Sequence, residues 1–247
     1  MPSTGSRPEH GQRPWRSVLP WITAFAVAMG FLESAVVVYL RAIYYPEGFA
    51  FPLVPMDPAL VITELLREFA TLVMLLAPGA MLARGRMERF AWFCWAFAVW
   101  DLFYYVFLKL LLGWPESFLT WDVLFLLPTV WVGPVLAPCM VSLGMLMLAA
   151  LILHGREVKP GYGPTRWQWV MLLTAGSIML YTFMEEPVRY LGSLPADSAM
   201  GGSAMNLLQH YVPEAFLWPL FLFACALASG ALLAMLRDLH RSRHRVR

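Results

Sequence analysis

The chain has 247 residues, 60% of them hydrophobic and only 14% charged, with a formal net charge of +2. A soluble domain carries about 25% charged residues, so the composition excludes an ordinary soluble fold. The apolar residues fall in long runs rather than in alternation, which reads as an all-α, polytopic integral membrane protein.

Residues 1–17 are polar, rich in Pro and Gly, contain Arg7, Arg13 and Arg16, and read as a disordered cytoplasmic tail. The first span is expected from Val18 to Leu40, closed by Arg41. Ala26-Val27-Ala28 has the small-residue pattern of a signal-peptidase site, but the apolar run continues well past it, so a retained helix is expected. An outer loop with aromatic anchors begins at Tyr44-Tyr45-Pro46. The second span, Leu60 to Leu82, is unusual because Glu64, Arg67 and Glu68 lie inside it. A basic loop with Arg84, Arg86 and Arg89 leads to a third span, Phe90 to Leu112, carrying Asp101, Tyr104, Tyr105 and Lys109.

The apolar stretch from Val123 to Leu153 exceeds the roughly 20 residues one span needs. Pro128, Pro134 and Pro138 interrupt it, which predicts an interfacial or re-entrant piece at 117–130 and a fourth span over 133–153. Arg156, Lys159 and Arg166 mark another basic loop. A fifth span over 167–190, an outer loop rich in Gly and Ser, and a sixth span over 213–236 follow. The six-helix domain thus covers 18–237, and 238–247 form a basic cytoplasmic tail. Lys and Arg concentrate in both tails and in the loops near 84–89 and 154–166, while the other three loops hold almost none. The positive-inside rule then places both termini in the cytoplasm with six spans, and the style of the chain suggests a bacterial inner membrane.

Pro46-Glu47-Gly48-Phe49, Pro115-Glu116-Ser117-Phe118 and Pro213-Glu214-Ala215-Phe216 share the pattern Pro-Glu-small-Phe. The first two follow an acid and a base eight apart, Glu33 with Arg41 and Asp101 with Lys109. Pro and Glu both suit a helix start, which accounts for the dipeptide but not for the Phe. The pattern is read as a duplicated two-helix hairpin, with spans one and two expected to superpose on spans three and four.

An ionisable group at bilayer depth is costly and faces a cavity or a partner. Glu33, Glu64, Arg67, Glu68, Lys109 and Glu185 fall in the outer halves of their spans, Asp101 lies near mid-depth with Tyr105 on the same helix face, and His210 opens the sixth span. They are the expected ligand-binding residues of a polar chamber open to the periplasm and sealed below by apolar packing. Glu64, Arg67 and Glu68 share one arc of the second span. Thr174, Ser177, Tyr181 and Glu185 stripe one side of the fifth. For each pair the plain structural reading is an interhelical salt bridge, such as Arg67 with Glu33 or Lys109 with Glu185.

Bis-histidine haem lacks ligands, HExxH, GxSxG and Walker motifs do not occur, and Cys94, Cys139 and Cys225 are isolated. Neither a metal nor a cofactor is expected. The basic C-terminal residues suit anionic lipid rather than nucleic acid. Three functional classes fit. One is binding or transport of a small polar or cationic solute, or of protons. Another is an intramembrane acid–base enzyme acting on a lipid or isoprenoid at the outer leaflet. The last is a non-catalytic subunit or assembly factor of a membrane complex. The excess of carboxylates favours the first, and a closed interior with paired charges would favour the last.

Overall fold

The computed structural model describes residues 15–83, 85–194 and 208–246. The polar N-terminal stretch 1–14, Arg84 and the Gly/Ser-rich loop 195–207 lie outside the described residues. Six helices form the body: α1 Trp15–Tyr44, α2 Pro58–Leu82, α3 Arg86–Leu112, α4 Leu136–Val158, α5 Arg166–Ser193 and α6 Trp218–Val246. Between α3 and α4 the chain forms an antiparallel hairpin of β1 Trp121–Phe125 and β2 Trp131–Pro134. A single 3-10 turn, Leu208–His210, precedes α6.

Helices α1, α3, α4 and α6 as far as Ser242 are long and apolar enough to cross a membrane. With four such helices the chain is a membrane protein. Helix α2 has 25 residues and α5 has 28, so both have the length but carry more polar side chains. Helix α2 is nevertheless apolar on its outer face. Ile62, Leu66 and Phe69 are 58%, 64% and 60% exposed, whereas Glu64 and Glu68 are 6% and 7% exposed. The polar residues face the protein and the apolar ones face outward, the reverse of a helix on a soluble protein.

Several ends differ from expectation for local reasons. The first helix begins at Trp15, so 15–17 belong to it and not to a tail. The sixth helix begins at Trp218 rather than Pro213, with Pro219 in its first turn, where a missing N–H costs nothing. It continues to Val246, so the basic segment from Asp238 extends the helix. The 117–130 segment does not continue α4; its second half enters the hairpin. Helix α2 starts where the Asp57 side chain accepts from the Ala59 N–H at 2.8 Å with Pro58 in first position. Helix α3 stops at Gly113, whose φ of 66° and N–H bond to the Lys109 carbonyl make a left-handed cap.

Helix α3 is the centre of the packing: α1, α2 and α4 all lie against it, and α6 packs on α4 and α5. At Gly30 of α1 the backbones come so close that a Cβ would stand 2.9 Å from the Trp100 carbonyl oxygen. Helices α1 and α2 scarcely touch, whereas α3 and α4 pack extensively, so the two proposed repeat hairpins are not packed alike.

The two ends of the bundle differ. At the end bearing Arg86, Arg156 and Arg166 (the basic end), Ile22, Leu75, Trp92, Ile152 and Met235 belong to one apolar core. There the Tyr162 ring sits over Gly155, where a Cβ would meet it at 2.1 Å, and its hydroxyl donates to the Met235 carbonyl at 2.7 Å. At the other end the β-hairpin is wedged among the helices. Trp131 stacks on Phe183 of α5 with rings 6.3 Å apart, and Trp121 meets Phe216 edge-on.

Candidate functional site

Helix α2 reaches toward α1 through Arg67. Its Nε and Nη2 both lie 2.8 Å from Glu64 Oε2, one turn back on the same helix. Its Nη1 donates to Glu33 Oε1 of α1. The other Glu33 oxygen accepts from the Thr71 hydroxyl at 3.3 Å. The planar guanidinium fork makes this double contact with two carboxylates natural. Glu68, the next acid along α2, has a different partner. Both its oxygens accept the backbone N–H of Leu126, at 3.1 and 2.9 Å, where the hairpin turns. Three carboxylates therefore gather around one guanidinium, and the acid nearest the hairpin is satisfied by a neutral donor.

Asp101 stands apart from this group. It accepts from the Ser142 hydroxyl of α4 at 2.7 Å. A parallel with Glu33 is visible here. Each acid lies eleven residues before the last residue of its helix, and each accepts a hydroxyl from the next helix in the chain. The Pro-Glu-small-Phe copies show no such parallel. Phe49 packs over Arg41, Phe216 joins Phe183 and Phe221, and Phe118 is exposed.

The hairpin carries the second charged contact. Asp122, 2% exposed, lies 3.4 Å from Nη2 of Arg41 at the end of α1. The Arg41 guanidinium is held between aromatic faces, 3.8 Å from the Trp114 centroid and 4.4 Å from that of Phe49. Such contacts stabilise a cation where water is excluded. Burial pushes the Asp122 carboxyl up to about 6, against the pull of Arg41 and of the Val123 N–H. Its Oδ2 has no hydrogen-bond partner among the described residues. A hollow of about 110 Å³ remains beside this pair, lined among others by Leu40, Tyr45 and Tyr104.

The nine residues expected from the sequence thus divide. Glu33, Glu64, Arg67 and Glu68 come together. Asp101 is held separately, and Tyr105 is buried close to Asp122. Lys109 turns to its own loop, donating to the Gly113 and Pro115 carbonyls at 2.9 and 2.8 Å, and closes α3 instead of pairing with Glu185. Glu185 bonds Arg189 one turn on, at 3.0 Å. His210 is exposed in the 3-10 turn. The β-hairpin lies beside the cluster, with its Leu126 N–H on Glu68. The sequence reading leaves Asp122 and Ser142 out of the site. A lone carboxylate between Trp121 and Val123, in an otherwise apolar stretch, is the signal for the first. A serine in a helix has no comparable signature. Among the described residues no three His, Cys, Asp or Glu side chains are grouped to hold a metal ion.

Comparison with known proteins yields no assignment: no family model matches the chain, and no match is found among the curated proteins or the solved structures.

Proposed function

We propose that the chain crosses a bacterial inner membrane six times with both termini cytoplasmic. In this reading the Glu33–Glu64–Arg67–Glu68 cluster takes up a proton or a small cation beneath the hairpin. The outward apolar face of α2 supports counting it as a span, and the Lys and Arg bias of the tails and of the 84–89 and 154–166 loops supports the orientation. The observation that carries the site is Glu68. It is buried beside two other carboxylates, and its partner is a backbone amide, not a base. An ionised carboxylate in such surroundings is costly unless neutralised. Arg67 already serves Glu33 and Glu64, so a proton or an external cation is the remaining neutraliser.

The test is Glu68→Gln in the full chain. The amide fits the same space and carries no charge. The expected result is a folded protein with unchanged melting that no longer exchanges a proton or shows cation-dependent stabilisation at this site. Unchanged proton exchange and cation response would refute the proposal.

A second reading has its own support. The Arg67 pairs and the Arg41–Asp122 contact are closed and tie α1, α2 and the hairpin together. In a non-catalytic subunit these contacts would fix helix pairing and nothing more. Arg67→Ala would then destabilise strongly, and Glu68→Gln would leave activity in cells untouched. The lipid-enzyme reading has less support, because His210 is exposed while Asp101 is half-buried and bonded to Ser142.

A further inference from the structure

A second cavity lies at the basic end, far in character from the carboxylate cluster. It encloses about 390 Å³ between the loop after α4, the start of α5 and the late turns of α6. That volume falls within the range of about 300–1,000 Å³ typical of small-molecule sites. Its wall is mostly polar, with Lys159, Thr165, Gln168, Asp238, Arg241 and Ser242 among the lining residues.

The frame of this cavity is built rather than loose. Thr165 and Gln168 cap α5 reciprocally, the Gln168 carbonyl accepting from the Thr165 N–H at 2.8 Å. The Gln168 amide then donates to Asp238 Oδ2 of α6 at 2.9 Å, and Gln168 is 4% exposed. Asp238 is thereby fixed at one side of the cavity, while Lys159 and Arg241 are exposed bases on its rim. Trp167, the second residue of α5, is 71% exposed, as expected of an aromatic anchor at a membrane interface. The helices on either side run from here into the apolar bundle.

We propose that this cavity binds the headgroup of a zwitterionic aminophospholipid, a phosphate ester carrying a primary ammonium. Lys159 and Arg241 hold the phosphate. Asp238, oriented by Gln168, receives the ammonium. A purely anionic headgroup would satisfy the two bases but would meet the Asp238 carboxylate as a like charge. The pairing of two bases with one fixed acid is what selects the aminophospholipid. The inference is independent of any proton or cation bound at the other end.

The experiment uses the full chain in detergent, with thermal melting and native mass spectrometry read in parallel. The probes are phosphatidylethanolamine, phosphatidylglycerol, inorganic phosphate and free phosphoethanolamine. Wild type is expected to retain phosphatidylethanolamine in preference to phosphatidylglycerol and to melt higher with it. Asp238→Asn should erase or invert that preference, and Lys159→Ala with Arg241→Ala should lose both lipids. Lys159 and Arg241 are exposed, so that double variant tests binding even where Asp238→Asn weakens the Gln168 contact. Equal retention of both phospholipids by wild type overturns the proposal. So does unchanged lipid binding in the double variant, or stabilisation by inorganic phosphate or phosphoethanolamine equal to that by the lipid.

Discussion

The two ends of the bundle hold themselves together by different means. At the basic end the contacts are matters of shape: Trp92 is buried among Ile22, Leu75 and Ile152, and Tyr162 lies flat on Gly155. At the hairpin end charge is added to shape: beside the Trp131–Phe183 stack, Arg67 bridges Glu33 and Glu64, and Arg41 meets Asp122 between two aromatic rings. Shape contacts do not change with pH or with ions in solution. Charge contacts do, and an acid without a base beside it changes most. The difference points to the hairpin end as the place where contacts between helices can respond to pH.

The largest expected effect is at Arg67. Arg67→Ala strands Glu33 and Glu64 without their shared partner and should destabilise the fold by about 3–5 kcal/mol. Unfolding in detergent measures it. Trp92→Ala makes the matching change at the other end. Its cost should be about 3 kcal/mol, the low end for a buried aromatic, because lipid tails are themselves apolar and only packing is lost. This loss should be the same at every pH. If Trp92→Ala shows a pH-dependent cost, the contrast between the ends fails.

A smaller effect is expected at Gly30. Gly30→Ala drives a methyl against the Trp100 carbonyl and should cost about 1–3 kcal/mol, again without pH dependence. Asp122 gives the subtlest signal. Burial raises its carboxyl from the ordinary value of about 3.9 to about 6 in the fold. Between those values the folded state binds more protons than the unfolded state, so this group's contribution to stability falls as pH rises through the window. It is flat below about pH 4 and above about pH 6. Asp122→Asn should remove that component from the pH profile of unfolding, and a profile identical to wild type would contradict the assignment.

Much of this contrast was legible in the sequence. The apolar runs mark the helices to within a few residues at most ends, and the spacing of Glu64, Arg67 and Glu68 places them on one face, where they are found with Glu33. Helix periodicity is local, so it survives reading without a structure. The hairpin was not legible as such. Its strands are four and five residues long, and their pairing is a tertiary fact; the prolines at 128 and 134 mark only the break in the helix. The Leu126 amide that serves Glu68 depends on that pairing and is likewise hidden in the sequence. The partners of Lys109 were equally out of reach, since a helix-closing lysine and an interhelical one look alike in sequence.

The central claim is that Glu68 is an exchangeable acid. Infrared difference spectroscopy of the membrane-reconstituted protein on acidification tests it most directly, through the carbonyl band that a carboxylate gains when it takes a proton. The wild-type band should contain a component that is missing from Glu68→Gln but retained in Asp122→Asn, which removes a different component, and in Glu185→Gln, whose carboxylate pairs with the exposed Arg189. An acid-induced carbonyl band of equal size in wild type and Glu68→Gln would contradict the account.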